Sequence, residues 1–179
     1  MDQFVGQALD MDDHGYGDKA GGYARLIEQW HLRPELATQL TDYFWAHYDG
    51  LCHLSEDTAL ALETLKSHGK RLGIITNGGT HRQRSKIDAL GLSALFDTVL
   101  ISEAEGIRKP AAEIFLRAVH HCGVEPSEAA FVGDHPETDV EGAKNAGLLP
   151  IWKHVPYWSP GRDDVFTVRQ LSEILPLCL

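Results

Sequence analysis

Apolar residues recur at spacings of three and four through the first part of the chain. Tyr23, Leu26, Ile27 and Trp30 form one set, and Leu36, Leu40, Phe44, Trp45 and Tyr48 another. That period predicts amphipathic helices from residue 3 to about 50. Arg33-Pro34 separates two of them, with Pro34 suited to a first turn, where its missing N–H has no intrahelical partner anyway. Ser55 is placed to cap a helix running to about Lys66, which Gly69 stops. Beyond it the pattern changes. The run RLGIITN (71–77) is short, apolar and β-branched, and it ends abruptly in polar residues, which reads as a buried strand feeding a loop. Strands over 97–103, 129–134 and 149–154 alternate with helices over 80–90, 111–122 and 138–146, and a last short helix is expected over 168–175. Strand alternating with helix predicts a parallel, doubly wound α/β sheet.

Composition narrows the function more than the fold. With 179 residues, the chain is long enough for one packed domain, or for a domain with a small appendage, and too short for two ordinary ones. The formal net charge of −10, from 26 acids against 16 bases, argues against a broad nucleic-acid or membrane-binding face and leaves room for a small anionic substrate. No apolar run approaches the roughly 18 residues of a membrane span. Cys52, Cys122 and Cys178 are odd in number and widely spaced, so reduced thiols in a cytoplasmic protein are expected. The start, MDQFVGQALDMDD, lacks the basic and apolar regions of a signal peptide. His120 and His121 point about 100° apart on a helix, which suits a solvated face better than a metal site.

In a parallel α/β sheet, ligands bind at the carboxyl ends of the strands. There the chain carries Thr76, Asn77 and Gly78 after the first strand, Arg108, Lys109 and Pro110 on a loop after the second, and Gly133, Asp134 and Asp139 after the third. Each suits phosphoryl chemistry. The Thr76 hydroxyl and the backbone N–H groups after it donate to phosphate oxygens, and Gly78 allows the close approach. Lys109 supplies a point positive charge. Asp134 and Asp139 offer the hard oxygen ligands that Mg²⁺ takes. Singly, each has a plainer reading: a strand-end threonine, a proline opening a helix, an acid capping a turn. Their common edge and order make the joint plain reading improbable.

The segments IITNGG, KP and FVGDHPETD, in that order, resemble the second, third and fourth motifs of the haloacid dehalogenase (HAD) superfamily. The resemblance implies a HAD-like Rossmann-type parallel sheet flanked by helices, with a helical cap, and a Mg²⁺-dependent phosphatase acting on a small phosphorylated metabolite through an aspartyl-phosphate. In these roles Thr76, Asn77, Gly78 and Lys109 bind the phosphoryl group, Thr76 and Lys109 assist catalysis, and Asp134 and Asp139 hold the metal. The family's first motif, a strand ending in D-x-D, has only ALDMDDHG (8–15) as a counterpart. Read that way, Asp10 is the nucleophile and Asp12 the acid/base. The helical spacing of Phe4, Val5, Ala8 and Leu9 opposes this, and ALDMDDHGYGDKAGGYARLIEQW resembles the turn between the first two cap helices. Residues 1–52 are then expected to form an incomplete cap, and 53–179 a core without its first strand. In the family that strand is central. Its position is expected to be filled by direct pairing of its neighbours, by residues 3–11 or by another subunit, including a homodimer partner, unless the chain is a shortened hydrolase. A non-catalytic HAD scaffold binding a phosphate ligand or a protein is the other reading.

Overall fold

The computed structural model describes residues 2–15, 17–158 and 164–179, apart from the side chain of His14. Tyr16, within the turn singled out above, lies outside the described residues. The chain divides into two compact units, Met1–Cys52 and His53–Leu179.

In the first unit, α1 (Asp2–Asp12), α2 (Lys19–Gln29) and α3 (Glu35–Leu51) follow the helical period of the sequence. Leu26 and Ile27 on α2 are its most buried apolar side chains. Trp30 packs edge-on against Phe4, with 5.5 Å between ring centroids, and donates its indole N–H to Gln7 at 2.6 Å. Residues 2–12 are therefore helix, so they do not enter a sheet. Pro34 lies immediately before α3.

The second unit opens with α4 (Glu56–Ser67), whose first turn is capped by the Ser55 hydroxyl accepting from the Thr58 N–H at 3.2 Å. There follow β1 (Gly73–Thr76), α5 (Thr80–Ala89), β2 (Thr98–Ile101), the single turn α6 (Ser102–Glu105) and α7 (Ala112–Cys122). The chain continues with β3 (Ala130–Gly133), a wide π-type turn over Pro136–Glu141 that runs into α8 (Gly142–Asn145), and β4 (Leu149–Lys153). It ends with β5 (Phe166–Val168), a 3-10 turn over Leu171–Ile174 and α9 (Leu175–Cys178). Two expectations need correction. The helix expected from 138 starts at Pro136 as a π turn, because His135 Nδ1 accepts the Glu137 and Thr138 N–H groups at 3.2 Å and widens the entry. The segment at 168 is the end of a strand. β5 is only three residues long, with Val168 alone buried, too short to register as alternation.

All observed strand pairs are parallel, but they form two sheets, β1-β2 and β3-β4-β5. Alternation along the strands shows that both sheets lie in one layer. Ile75, Leu100 and Phe131 face a cluster built on Ile114, Phe115, Ala118 and Val119 of α7 and Ala143 of α8. Ile74, Val99, Val132 and Ile151 face the opposite cluster, with Leu62 and Leu65 of α4, Ile87 of α5 and Ile174. Helices thus cover the same two faces of both sheets, while no ladder joins β1 to β3 among the described residues. Among the described residues β1 and β3 are not directly paired, and residues 3–11 are helix rather than strand.

Asp97 fixes the start of β2. Its carboxylate accepts the Leu72 N–H at 2.8 Å, Lys66 Nζ at 2.9 Å and Arg71 at 2.9 Å. The Leu72 hydrogen bond, then the two cations, hold its pKa well below the ordinary carboxylate range. A depressed folded-state pKa adds stability that is complete above the unfolded value of about 4 and is lost as pH falls below it. Asp97→Asn is expected to lower stability at neutral pH and to flatten the loss between about pH 4 and pH 2 in urea titrations. Phe115 is fully buried and meets Phe131 edge-on at 4.9 Å. Phe115→Ala should cost about 3–5 kcal/mol in the same urea unfolding measurement.

Candidate functional site

The carboxyl ends of β1 and β3 are joined by side chains rather than by a ladder. Asn77, immediately after β1, donates its carboxamide N–H to the Lys109 carbonyl at 3.0 Å and accepts the Lys109 backbone N–H at 2.9 Å. This reciprocal pair holds the Lys109 backbone against the β1 end. Lys109 Nζ then donates to Asp139 Oδ1 at 2.6 Å, with the two side chains only 11% and 6% exposed. The same ammonium lies 5.3 Å from the centre of the Phe131 ring, a favourable cation–π position. Asp139 Oδ2 accepts the His135 N–H at 3.1 Å, which completes the link to the β3 end.

Gly133 is required for this arrangement. A Cβ there would overlap the Asp139 carboxylate, so only glycine lets the π turn fold its buried acid back against the strand. Asp134 follows on the same edge. Its carbonyl accepts the Trp152 indole N–H at 2.8 Å, and its Oδ2 accepts the Tyr157 hydroxyl at 3.0 Å. Burial, and then the hydrogen bond to Asp134, push the Tyr157 phenol up to about 12, so it stays a donor at neutral pH. Trp158 lies on His135, with 4.5 Å between ring centroids. Tyr157 and Trp158 are site neighbours that the sequence reading passed over. They follow the fourth strand, LPIWKH, and its carboxyl end, on the edge where ligands of a parallel sheet bind, is the sequence signal for them.

The loop after Thr76 is held by the segment that follows β2. The Thr76 hydroxyl donates to Gln83 at 3.0 Å, the Gly78 N–H to the Ser102 hydroxyl at 3.0 Å, and the Thr80 N–H to the Glu103 carboxylate at 2.7 Å. That last bond lowers the Glu103 pKa below its ordinary value. Gly78 has φ of +149°, and a Cβ there would press on Gln83 at 2.7 Å. The structure thus places Asn77, Lys109 and Asp139 in direct contact, Asp134 next to them through His135, and Thr76 and Gly78 on the loop that begins at Asn77.

Asp10 and Asp12 belong to the first unit. Asp12 ion-pairs with Lys19 across the turn after α1, and its carbonyl accepts the Gly17 N–H at 2.9 Å. Asp10 is exposed on α1. Both acids have positions explained by the helical turn. His121 Nδ1 lies 3.2 Å from the Thr98 hydroxyl, and no group of three or more metal-ligating side chains occurs among the described residues. The donor chemistry at the rim still suits Mg²⁺, which commonly takes one or two carboxylates and fills its remaining positions with water and phosphate oxygens.

A family model described as haloacid dehalogenase-like hydrolase matches residues 6–147. A phosphoserine phosphatase of Thermus thermophilus is 39% identical over 130 residues, 73% of this chain and 52% of its own length. A glyceraldehyde 3-phosphate phosphatase of Pyrococcus furiosus is 43% identical over 88 residues, 49% of this chain and 37% of its own length. The chain therefore spans about half the length of the first of these curated relatives, and less of the second. Among solved structures, a HAD phosphatase from Thermococcus onnurineus superposes with a TM-score of 0.66 at 27% identity, over 98% of this chain and 78% of the other.

Removing one member of a buried ion pair leaves the other charge without compensation. Lys109→Met is expected to destabilise the second unit by about 3 kcal/mol, and the double variant Lys109→Met/Asp139→Asn to recover part of that loss. Urea unfolding of the three proteins measures the coupling.

Proposed function

The chain belongs to the haloacid dehalogenase-like hydrolases, and from that membership we propose that it forms the phosphoryl-binding core of a Mg²⁺-dependent phosphatase acting on small phosphate esters. The observation that carries this reading is the buried Lys109–Asp139 pair, tied to the end of β1 by Asn77 and to the end of β3 by His135. An ammonium fixed in a nearly dry setting is an electrostatic stabiliser for charge that develops on phosphoryl oxygens, because no solvent reorganisation is needed when the charge appears. The named relatives act on phosphate esters, which supports the substrate class.

In the proposed reaction the Thr76 hydroxyl orients the phosphoryl oxygens and Lys109 neutralises them. Asp134 and Asp139 are the residues that would hold Mg²⁺, which when bound supplies positive charge against the phosphoryl group. Covalent catalysis needs a carboxylate oxygen that bonds to phosphorus as the ester P–O bond breaks and the alcohol leaves with a proton; water then cleaves the acyl phosphate. We assign that carboxylate to a segment paired between β1 and β3, since Asp10 and Asp12 sit on and beside a helical turn of the other unit. The helices of residues 1–52 correspond to a substrate-selecting cap, and the setting is cytoplasmic. The scaffold reading, which keeps phosphate binding without turnover, draws on the same placement of Asp10 and Asp12.

Inorganic phosphate with Mg²⁺ should bind the chain, and Lys109→Met should weaken that binding at least about tenfold by calorimetry. Binding indifferent to Lys109 would remove the rim as the site. Turnover of p-nitrophenyl phosphate by the chain alone that disappears in Asp10→Asn would move the nucleophile to α1 and overturn the assignment.

A further inference from the structure

We propose that Tyr157 is a positioning residue for the metal site, its phenol holding the Asp134 carboxylate in place for Mg²⁺. The inference rests on the phosphatase reading for the metal at Asp134 and Asp139, and adds to it a side chain from beyond β4. Two consecutive residues there face two consecutive residues after β3. The Tyr157 hydroxyl donates to Asp134 Oδ2 at 3.0 Å, and the Trp158 ring lies on His135 with 4.5 Å between centroids. Tyr157 and Trp158 also meet edge-on at 5.7 Å, so the ring packed on His135 helps to locate the phenol. A carboxylate only accepts, which makes the phenol the donor.

The bond acts on the carboxylate and not on the backbone. The Asp134 main chain is already held through its carbonyl, which accepts the indole N–H of Trp152 at 2.8 Å, and Trp152 is fully buried. Tyr157, by contrast, is 41% exposed, where a hydrogen bond adds less to folding than it does in a dry interior. What it restricts is rotation of the Asp134 side chain. The other acid, Asp139, is fixed separately: its two oxygens accept Lys109 Nζ and the His135 N–H, and its side chain is only 6% exposed. Asp134 is partly buried, and the Tyr157 hydroxyl reaches its carboxylate from 23 positions later in the chain. One phenol occupies one of the roughly four lone-pair sites of a carboxylate, so the bond orients the group without excluding a cation from it. Mg²⁺ demands near-ideal octahedral geometry. A preset ligand therefore matters more to it than to Ca²⁺, whose coordination is flexible.

Tyr157→Phe keeps the ring and removes the hydroxyl. Calorimetric titration of the full chain with Mg²⁺ should show about a tenfold loss of affinity in this variant, and titration with Ca²⁺ a loss of less than about threefold. Asp134→Asn should itself weaken Mg²⁺ binding, and adding Tyr157→Phe to it should cause no further loss, because the phenol acts through that carboxylate. A purely structural role would instead lower the affinity for both metals alike, or add to the effect of Asp134→Asn, and either result would overturn the proposal. Mg²⁺ binding that Tyr157→Phe leaves within about twofold of the unaltered chain also sinks it, while the phosphatase reading stands. If Mg²⁺ fails to bind the unaltered chain while inorganic phosphate still binds through Lys109, the metal leaves the reading and the proposal falls with it.

Discussion

The buried ion pair between Lys109 and Asp139 joins what the backbone leaves apart. A ladder between β1 and β3 would fix their carboxyl ends through repeated N–H to C=O bonds. Here one charge-assisted bond at 2.6 Å, continued by Asn77 on one side and the His135 N–H on the other, spans the same interval. Burying two charges is costly, and such a pair adds little net stability over an apolar substitute. Its value lies in direction. It fixes an ammonium and a carboxylate at the rim, in an environment that strengthens any further electrostatic contact.

The apolar layers do the rest of the joining. Phe115 on α7 packs with Ile75 of β1 and Leu100 of β2 in one cluster and stands edge-on to Phe131 of β3. One helix therefore rests on both sheets. The opposite layer repeats this, with Leu62 and Leu65 of α4 in the same cluster as Ile151, and with Ile74 and Val132 packed against it. Burial of apolar surface is non-directional, so it holds the two sheets in one layer without needing a ladder between them.

Much of this was legible in the chain. The period of three and four from Tyr23 to Tyr48 identified helices, and RLGIITN, with its β-branched run and polar end, identified a strand whose terminus carries Thr76 and Asn77. Such signals are visible because they depend on neighbours in sequence. β5 was not legible, because three residues with one buried side chain carry no period. Tyr157 and Trp158 were not legible either. Their proximity to Asp134 and His135 depends on β4 pairing with β3, a contact between segments some twenty residues apart.

The order of the elements, the helical character of the stretch around Asp10 and Asp12, and the position of Thr76, Lys109, Asp134 and Asp139 next to strand ends follow from the order of residues alone. Hydrophobic period, turn chemistry and the ends of apolar runs are local properties, and local properties survive reading one residue after another. Three-dimensional packing is needed to see that the sheet is in two parts, that Gly133 makes room for the Asp139 carboxylate, and that Lys109 is tied to Asn77 and Asp139 at once. Asn77, Lys109 and Asp139 lie about thirty residues apart in turn and meet because two helical layers fold over both sheets. Close approach and pairing across a fold are decided by packing, which no single stretch of sequence contains.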